Sequence, residues 1–273
     1  MTRIGLHLEK SLEENASDYY DKAKKLKKKI TGAEEALKKS RKKLRQLEDK
    51  KEKIDQEENK KIISRERKKE WYEKFRWFIS SDGFLIIGGR DSTSNEIVIK
   101  KHTDNNDLVL HTDMAGSPFF VIKSNALTES GTSSDNKEIS KKAIKEAADA
   151  TCTFSRAWKL GLQQSDVFYV TPEQVSKKAK SGEYLTKGAF MIYGKTNYIE
   201  NKINLAIGIT KDHALMAGPE EAIKKHCKDY LALKQGDEKV SSIAKKINNK
   251  FNNEFDLDDI IRVLPAGSFK LQV

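Results

Sequence analysis

FRWFISSDGFLIIGG, residues 75–89, decides how the rest of this chain reads. Two apolar runs, Phe75–Ile79 and Phe84–Ile87, flank the turn tripeptide Ser81-Asp82-Gly83. Short apolar runs joined by a tight Asp-Gly turn predict an antiparallel β-hairpin. Gly88-Gly89 at its exit marks a bulge or a close backbone approach.

Working outward, the same grammar repeats. Glu96–Lys100, Leu108–His111 and Pro118–Lys123 are further β-type runs, as are Asp166–Val170, Ala189–Tyr193 and Ile203–Ile209. A Ser-, Thr- and Gly-rich segment from Asn125 to Asn136 reads as a mobile loop. Ser140–Leu160 carries Ala143, Ala147, Ala150, Phe154 and Trp158 at helical spacing, which predicts one helix with a broad packing face. Gly218-Pro219-Glu220-Glu221 opens another helix, and two more are expected near Glu238–Asn252 and Leu257–Val263. Residues 71–273 are therefore expected to form an α+β domain with a mainly antiparallel sheet.

Upstream of residue 71 the composition changes. Residues 1–70 hold 23 Lys+Arg against 15 Asp+Glu, a net +8, while the remainder holds 29 against 26, a net +3. All three Trp and all eleven Phe fall beyond residue 70. Apolar residues recur at alternating spacings of four and three: Leu12, Ala16, Tyr19, Ala23, Leu26, Ile30, Ala33, Leu37, Leu44, Leu47 and Ile54. That periodicity predicts a coiled-coil helical arm over 1–70, with Ser11 and Glu14 forming the capping box at its start. Thr31-Gly32 is a candidate bend, and Glu57 to Lys61 a candidate break. The seam needs a partner helix from another chain, from a segment outside this sequence or from a second copy.

Composition excludes several classes. No apolar run reaches the roughly 18–20 residues of a membrane span. The N-terminal residues show no apolar signal core, so a cytoplasmic location is expected. Cys152 and Cys227 lie far apart without metal-ligand spacing, so neither a metal nor any other cofactor is expected. The overall +11 favours polyanionic partners.

Candidate chemistry is sparse. Gly188–Thr196 ends in Gly-Lys-Thr but lacks the phosphate-loop spacing. His111 and Asp113 lie two apart at a strand end, which leaves an RNA-processing hydrolase as an alternative, although no nucleophile or third ligand accompanies them. Arg90 and Asn95 follow the double glycine and suit a phosphate or a base edge. Lys177, Lys178, Lys180, Lys187 and Lys195 suit a polyanion, and Tyr184 offers a stacking face.

The order of these motifs resembles the RNA-binding domain of the NFACT family. The resemblance rests on Trp71-Tyr72-Glu73-Lys74-Phe75-Arg76-Trp77-Phe78, Gly88-Gly89-Arg90-Asp91, His111 with Asp113, Ser155-Arg156-Ala157-Trp158, Gln174-Val175-Ser176-Lys177 and Gly182-Glu183-Tyr184-Leu185. Glu14-Asn15-Ala16 with Tyr19-Tyr20 is similar to the family's middle coiled-coil region. The family's N-terminal domain has no counterpart in the sequence, and Arg90-Asp91 is not the Asp-Arg pair that domain carries. What the resemblance implies is a non-catalytic protein of ribosome-associated quality control, which rescues stalled ribosomes by binding rRNA of the large ribosomal subunit and tRNA. An older label on some members, fibronectin binding, suggests adhesion or scaffolding as a weaker alternative.

Overall fold

The computed structural model describes residues 4–127, 133–134, 138–178 and 185–271. The chain divides into two compact units, Met1–Asn59 and Lys60–Val273.

The first unit is dominated by α1 (Leu12–Glu66). Its start has the expected capping box: the Ser11 amide donates to Glu14 Oε2 at 2.8 Å and the Glu14 amide to Ser11 Oγ at 3.2 Å. Asn15 is the buried polar residue here. Its side-chain amide donates to the carbonyls of His7, Lys10 and Ser11, and its Oδ1 accepts from the His7 amide. The Tyr19 hydroxyl donates to Gly5 O at 2.6 Å, so residues 5–11 fold back along the first turns of α1. The helix runs through both Thr31-Gly32 and 57–61, which corrects the expected break. The Thr31 hydroxyl satisfies itself on the Lys27 and Lys28 carbonyls, which keeps it compatible with helix. Leu26, Ile30, Leu37, Leu44 and Leu47 are all more than half exposed.

The second unit is α+β, as expected. Its strands are β1 (Arg76–Ile79), β2 (Phe84–Gly88), β3 (Leu108–Thr112), β4 (Phe120–Leu127), β5 (Ser133–Ser134), β6 (Val167–Val170), β7 (Val175–Ser176), β8 (Met191–Ile192), β9 (Asn197–Ile199), β10 (Leu205–Thr210), β11 (Leu215–Gly218), β12 (Cys227–Lys239) and β13 (Ser268–Leu271). Its helices are α2 (Ser92–Lys101), α3 (Lys141–Thr153), α4 (Arg156–Leu160), α5 (Glu220–His226), α6 (Val240–Lys250) and α7 (Leu257–Val263). The main sheet runs β1-β2-β4-β3-β6-β9, with β5 paired to β4; a second runs β11-β10-β12-β13; β7 and β8 form a small ribbon. Every pairing is antiparallel.

The hairpin forms as read. Gly83 takes a left-handed φ of 89°, and Arg76 to Ile79 pair with Gly88 to Leu85. Gly88 is the close approach: a Cβ there would meet the Phe120 ring. Phe78, Phe84, Ile86, Ile87, Phe120 and Ile122 are completely buried, each contributing about 1.5–3 kcal/mol by area removed from water. The two larger sheets join where the Ile79 amide points at Met216 Sδ, 3.4 Å away, and where Gly218 lets β11 pack against Phe78. Small residues on α3, Ala143, Ala147, Ala148 and Ala150, are fully buried and bring that helix close to the main sheet.

Three readings are corrected. Glu96–Lys100 is helical, not extended: Asp91 caps α2 by accepting the Ser94 amide at 2.8 Å, and the cap overrides the β-branched Ile97-Val98-Ile99. The helix expected over 140–160 is two helices, because Ser155 breaks the run and caps α4 through the Ala157 amide. Of the loop expected from Asn125 to Asn136, residues 125–127 extend β4 and Ser133–Ser134 pair with it, while the rest lies outside the described residues. The 13-residue β12 has no counterpart in the sequence reading.

Candidate nucleic-acid interface

One groove of the second unit gathers five positive charges from four separate segments. Arg76 comes from β1, Arg90 from the β2–α2 turn, Arg156 and Lys159 from α4, and Lys187 from the segment before β8. Asp91 is the single acid among the described lining residues, and its carboxylate is held below its ordinary range by the Ser94 amide it caps. The groove encloses about 490 Å³ and has apolar walls that include Phe119, Phe154, Phe190 and Ile192.

Arg76 is the unusual member. Its Nη1 donates to Gly89 O at 2.7 Å, and its guanidinium lies over the Phe154 ring. Its Nε is buried without a hydrogen-bond partner, and it makes no ion pair among the described residues. Burial, with Arg90 nearby, pulls its pKa down to about 10, so it remains a cation at neutral pH. A desolvated, unpaired cation is costly to keep unless an anion arrives from outside.

The surrounding backbone is shaped for close approach. Gly188, at φ 80°, lies directly against Ser92: a Cβ would stand 2.5 Å from Ser92 Cα. Gly116, at φ 81°, leaves room beside the Arg156 side chain. Trp158 is core, not a stacking platform; its Nε1 donates to Ser268 O at 3.1 Å, and Gln235 Nε2 donates to the Ala157 and Trp158 carbonyls, each at 3.2 Å. These bonds seat α4 on β12 and β13.

The residues nominated from sequence fall in different places. Arg90, Asn95 and Lys187 line the groove. Asn95 is buried, however, and its Oδ1 accepts the Phe119 amide at 3.1 Å, so it braces the wall. Lys177 Nζ donates to the Thr186 and Ala189 carbonyls at 3.0 Å each and sits 5.1 Å from the Phe190 ring centroid, tying down residues 186–190. Lys178 and Lys195 are exposed and do not line the groove. Lys180 and Tyr184 lie outside the described residues. Arg76, Arg156 and Lys159 were not nominated. The available signals were a lone charge inside the apolar run 75–79 for Arg76 and, for both Arg76 and Arg156, a place in the motifs of the family resemblance; Lys159 carried none beyond its type.

His111 and Asp113 are each engaged elsewhere. The His111 ring stacks on Phe119 with centroids 4.1 Å apart, its Nε2 lies 3.2 Å from Ser117 O, and burial lowers its pKa. Asp113 accepts the Tyr198 hydroxyl at 2.9 Å. Among the described residues no group of three His, Cys, Asp or Glu could hold a metal ion, and no helix is long and apolar enough to cross a membrane.

Comparison with known proteins bears on the same segment. Residues 74–194 match the family described as the NFACT protein RNA binding domain. The chain is 39% identical over 217 residues to the archaeal Rqc2 homologue aRqcH of Methanocaldococcus jannaschii, covering 78% of this chain and 30% of that protein. It is 38% identical over 189 residues to the human ribosome quality control complex subunit NEMF, covering 68% of this chain and 16% of that one. The chain therefore spans less than a third of the length of these relatives. A solved C-terminal part of the fibronectin/fibrinogen-binding protein of Streptococcus suis aligns at TM-score 0.36 and 19% identity over 47% of this chain and 45% of that one, a likeness too slight to argue from. With the matched segment holding the hairpin, Arg76, Arg90, Arg156 and Lys187 together, the chain belongs to the NFACT family.

Proposed function

We propose that this chain is a non-catalytic RNA-binding part of ribosome-associated quality control that engages the large ribosomal subunit and tRNA. The observation that carries the reading is the groove in which, among the described residues, Arg76, Arg90, Arg156, Lys159 and Lys187 meet one acid, with no ion pair at Arg76. Such a cluster is suited to phosphate oxygens and gains affinity by counterion release. The ring stack of His111 and the hydrogen bond of Asp113 favour a structural role for that pair over hydrolysis. In this reading residues 1–70 are a basic coiled-coil arm whose exposed Leu and Ile face takes a partner helix, and residues 71–273 are the RNA-binding body. The names of the relatives, an Rqc2 homologue and a ribosome quality control subunit, support the ribosome as the setting. The Lys-rich stretches of α1 add a second, diffuse phosphate-attracting surface.

The test is cosedimentation of the full chain with large ribosomal subunits, with and without tRNA, at two salt concentrations. Salt-sensitive binding that tRNA strengthens is expected. Absence of binding at low salt, or binding indifferent to salt, would overturn the reading.

A further inference from the structure

The groove discriminates by depth as well as by charge. Arg156, Lys159 and Lys187 are exposed on its rim, whereas Arg76 is mostly buried, with Nε wholly out of solvent. A continuous A-form duplex presents its phosphates on a convex surface and keeps its bases paired inside. It can reach the rim cations but not the recessed guanidinium. A single-stranded nucleotide can be splayed out of its chain, so that its phosphate enters the recess while its base leaves the stack. The groove volume of about 490 Å³ falls in the range of small-ligand pockets, enough for one nucleotide and not for a run of them. The lining also supplies an apolar contact: Phe190 is half-buried and braced edge-on by Phe119 with centroids 5.4 Å apart, and Ile192 lines the same groove.

We propose that the groove seats one splayed nucleotide of single-stranded RNA, its phosphate held by Arg76 and Arg156 and its base against Phe190 and Ile192. The proposal rests on the RNA-binding reading above and names the state of RNA that the site selects. Lys159 and Lys187 then act on the flanking phosphates. Asn95 Oδ1 is taken by the Phe119 amide, and the cations of this arrangement meet phosphates, so the discrimination expected is between single and double strands rather than among the four bases.

The test uses the full chain and a fluorescein-labelled hexauridylate, read by anisotropy, with a 12-base-pair RNA duplex and inorganic phosphate as competitors. The hexamer is expected to bind, and to be displaced at least tenfold less well by the duplex. Arg156→Ala and Arg76→Lys should each weaken hexamer binding about tenfold, and the exposed Lys245→Ala on α6 should leave it unchanged. A 4-thiouridine within the hexamer should cross-link to the peptide holding Phe190 and Ile192. If Arg76→Lys does not fold, Arg156→Ala and the cross-link decide, since Arg156 is exposed. Equal competition by duplex, displacement by free phosphate at hexamer concentrations, full affinity in Arg156→Ala, or a cross-link elsewhere would each overturn the proposal. Ribosomal subunits bound by the same preparation without hexamer binding would overturn it while leaving the broader reading intact; loss of both would remove that reading too.

Discussion

The guanidinium of Arg76 lies 5.0 Å from the centroid of the Phe154 ring, its charge facing a π cloud instead of a carboxylate. A ring quadrupole recovers part of the lost hydration of a cation but not all of it. The fold therefore retains a charge that its own stability does not require. Arg76→Met should leave the protein at least as stable, with a gain of up to about 1–2 kcal/mol, while weakening RNA binding. Thermal melts beside RNA titrations check this; a variant destabilised by more than about 2 kcal/mol would show that the Gly89 hydrogen bond outweighs the desolvation.

Five lining cations set a ceiling on the salt response of the groove. For the three phosphates assigned to the groove, one shared by Arg76 and Arg156 and the others met by Lys159 and Lys187, log K should fall with log salt at a slope near −2, at about −0.7 per neutralised phosphate. Lys159→Ala should flatten the slope by about 0.7. Titrations at four salt concentrations measure both, and an unchanged slope in the variant would remove Lys159 from the interface.

Gly188 holds the segment before β8 against the start of α2. An alanine there meets both a left-handed φ and the Ser92 backbone. Gly188→Ala should cost at least about 1 kcal/mol and lift residues 185–190 off α2. Faster proteolysis between residues 185 and 190, with weaker RNA binding, is the expected signature.

Glu146 supplies a pH-dependent element away from the groove. Its carboxylate accepts the Ser81 amide at 2.8 Å and also pairs with the Ser81 hydroxyl, yet burial raises its pKa above the ordinary 4.5. The folded state thus holds this proton more tightly than the unfolded chain. The corresponding stability is complete below the unfolded value and is lost as pH rises through the folded one. Glu146→Gln, which can still accept from the amide and donate to the hydroxyl, should flatten that decline and melt a few degrees above wild type at pH 8. Melts from pH 4 to pH 8 test it, and a lower melting point at pH 8 would contradict it.

Asn15 pins residues 7–11 onto α1 through three donated bonds and one accepted bond. Asn15→Ala should lose about 1–3 kcal/mol locally. Amide exchange should then accelerate at residues 7–15 and stay unchanged in β2 and β4. Protection that persists at residue 7 would mean Tyr19 alone holds the turn-back.

Local signals carried the reading as far as they reach. The hairpin was legible because alternation, turn chemistry and the double glycine agree. The start of α1 was legible for the same reason. α2 was misread because Ile97-Val98-Ile99 favour a strand, while the deciding contact is the Asp91 cap six residues earlier. β12 was not read because its sequence is charged and mostly half-exposed, with Gly236 packed on β13 at an irregular register. The groove was legible only in fragments. Arg90 stood out behind the double glycine and Lys187 in the lysine-rich stretch, but the convergence of Arg76, Arg156 and Lys187 is set by tertiary packing across 111 positions, and no spacing rule encodes it.

The seat of α4 has a mechanical corollary. Arg156 and Lys159 ride on a five-residue peg wedged by Trp158 into Ser268 and held from the side by Gln235. The placement of these two cations therefore depends on two side chains, Trp158 and Gln235, that lie outside the lining of the groove.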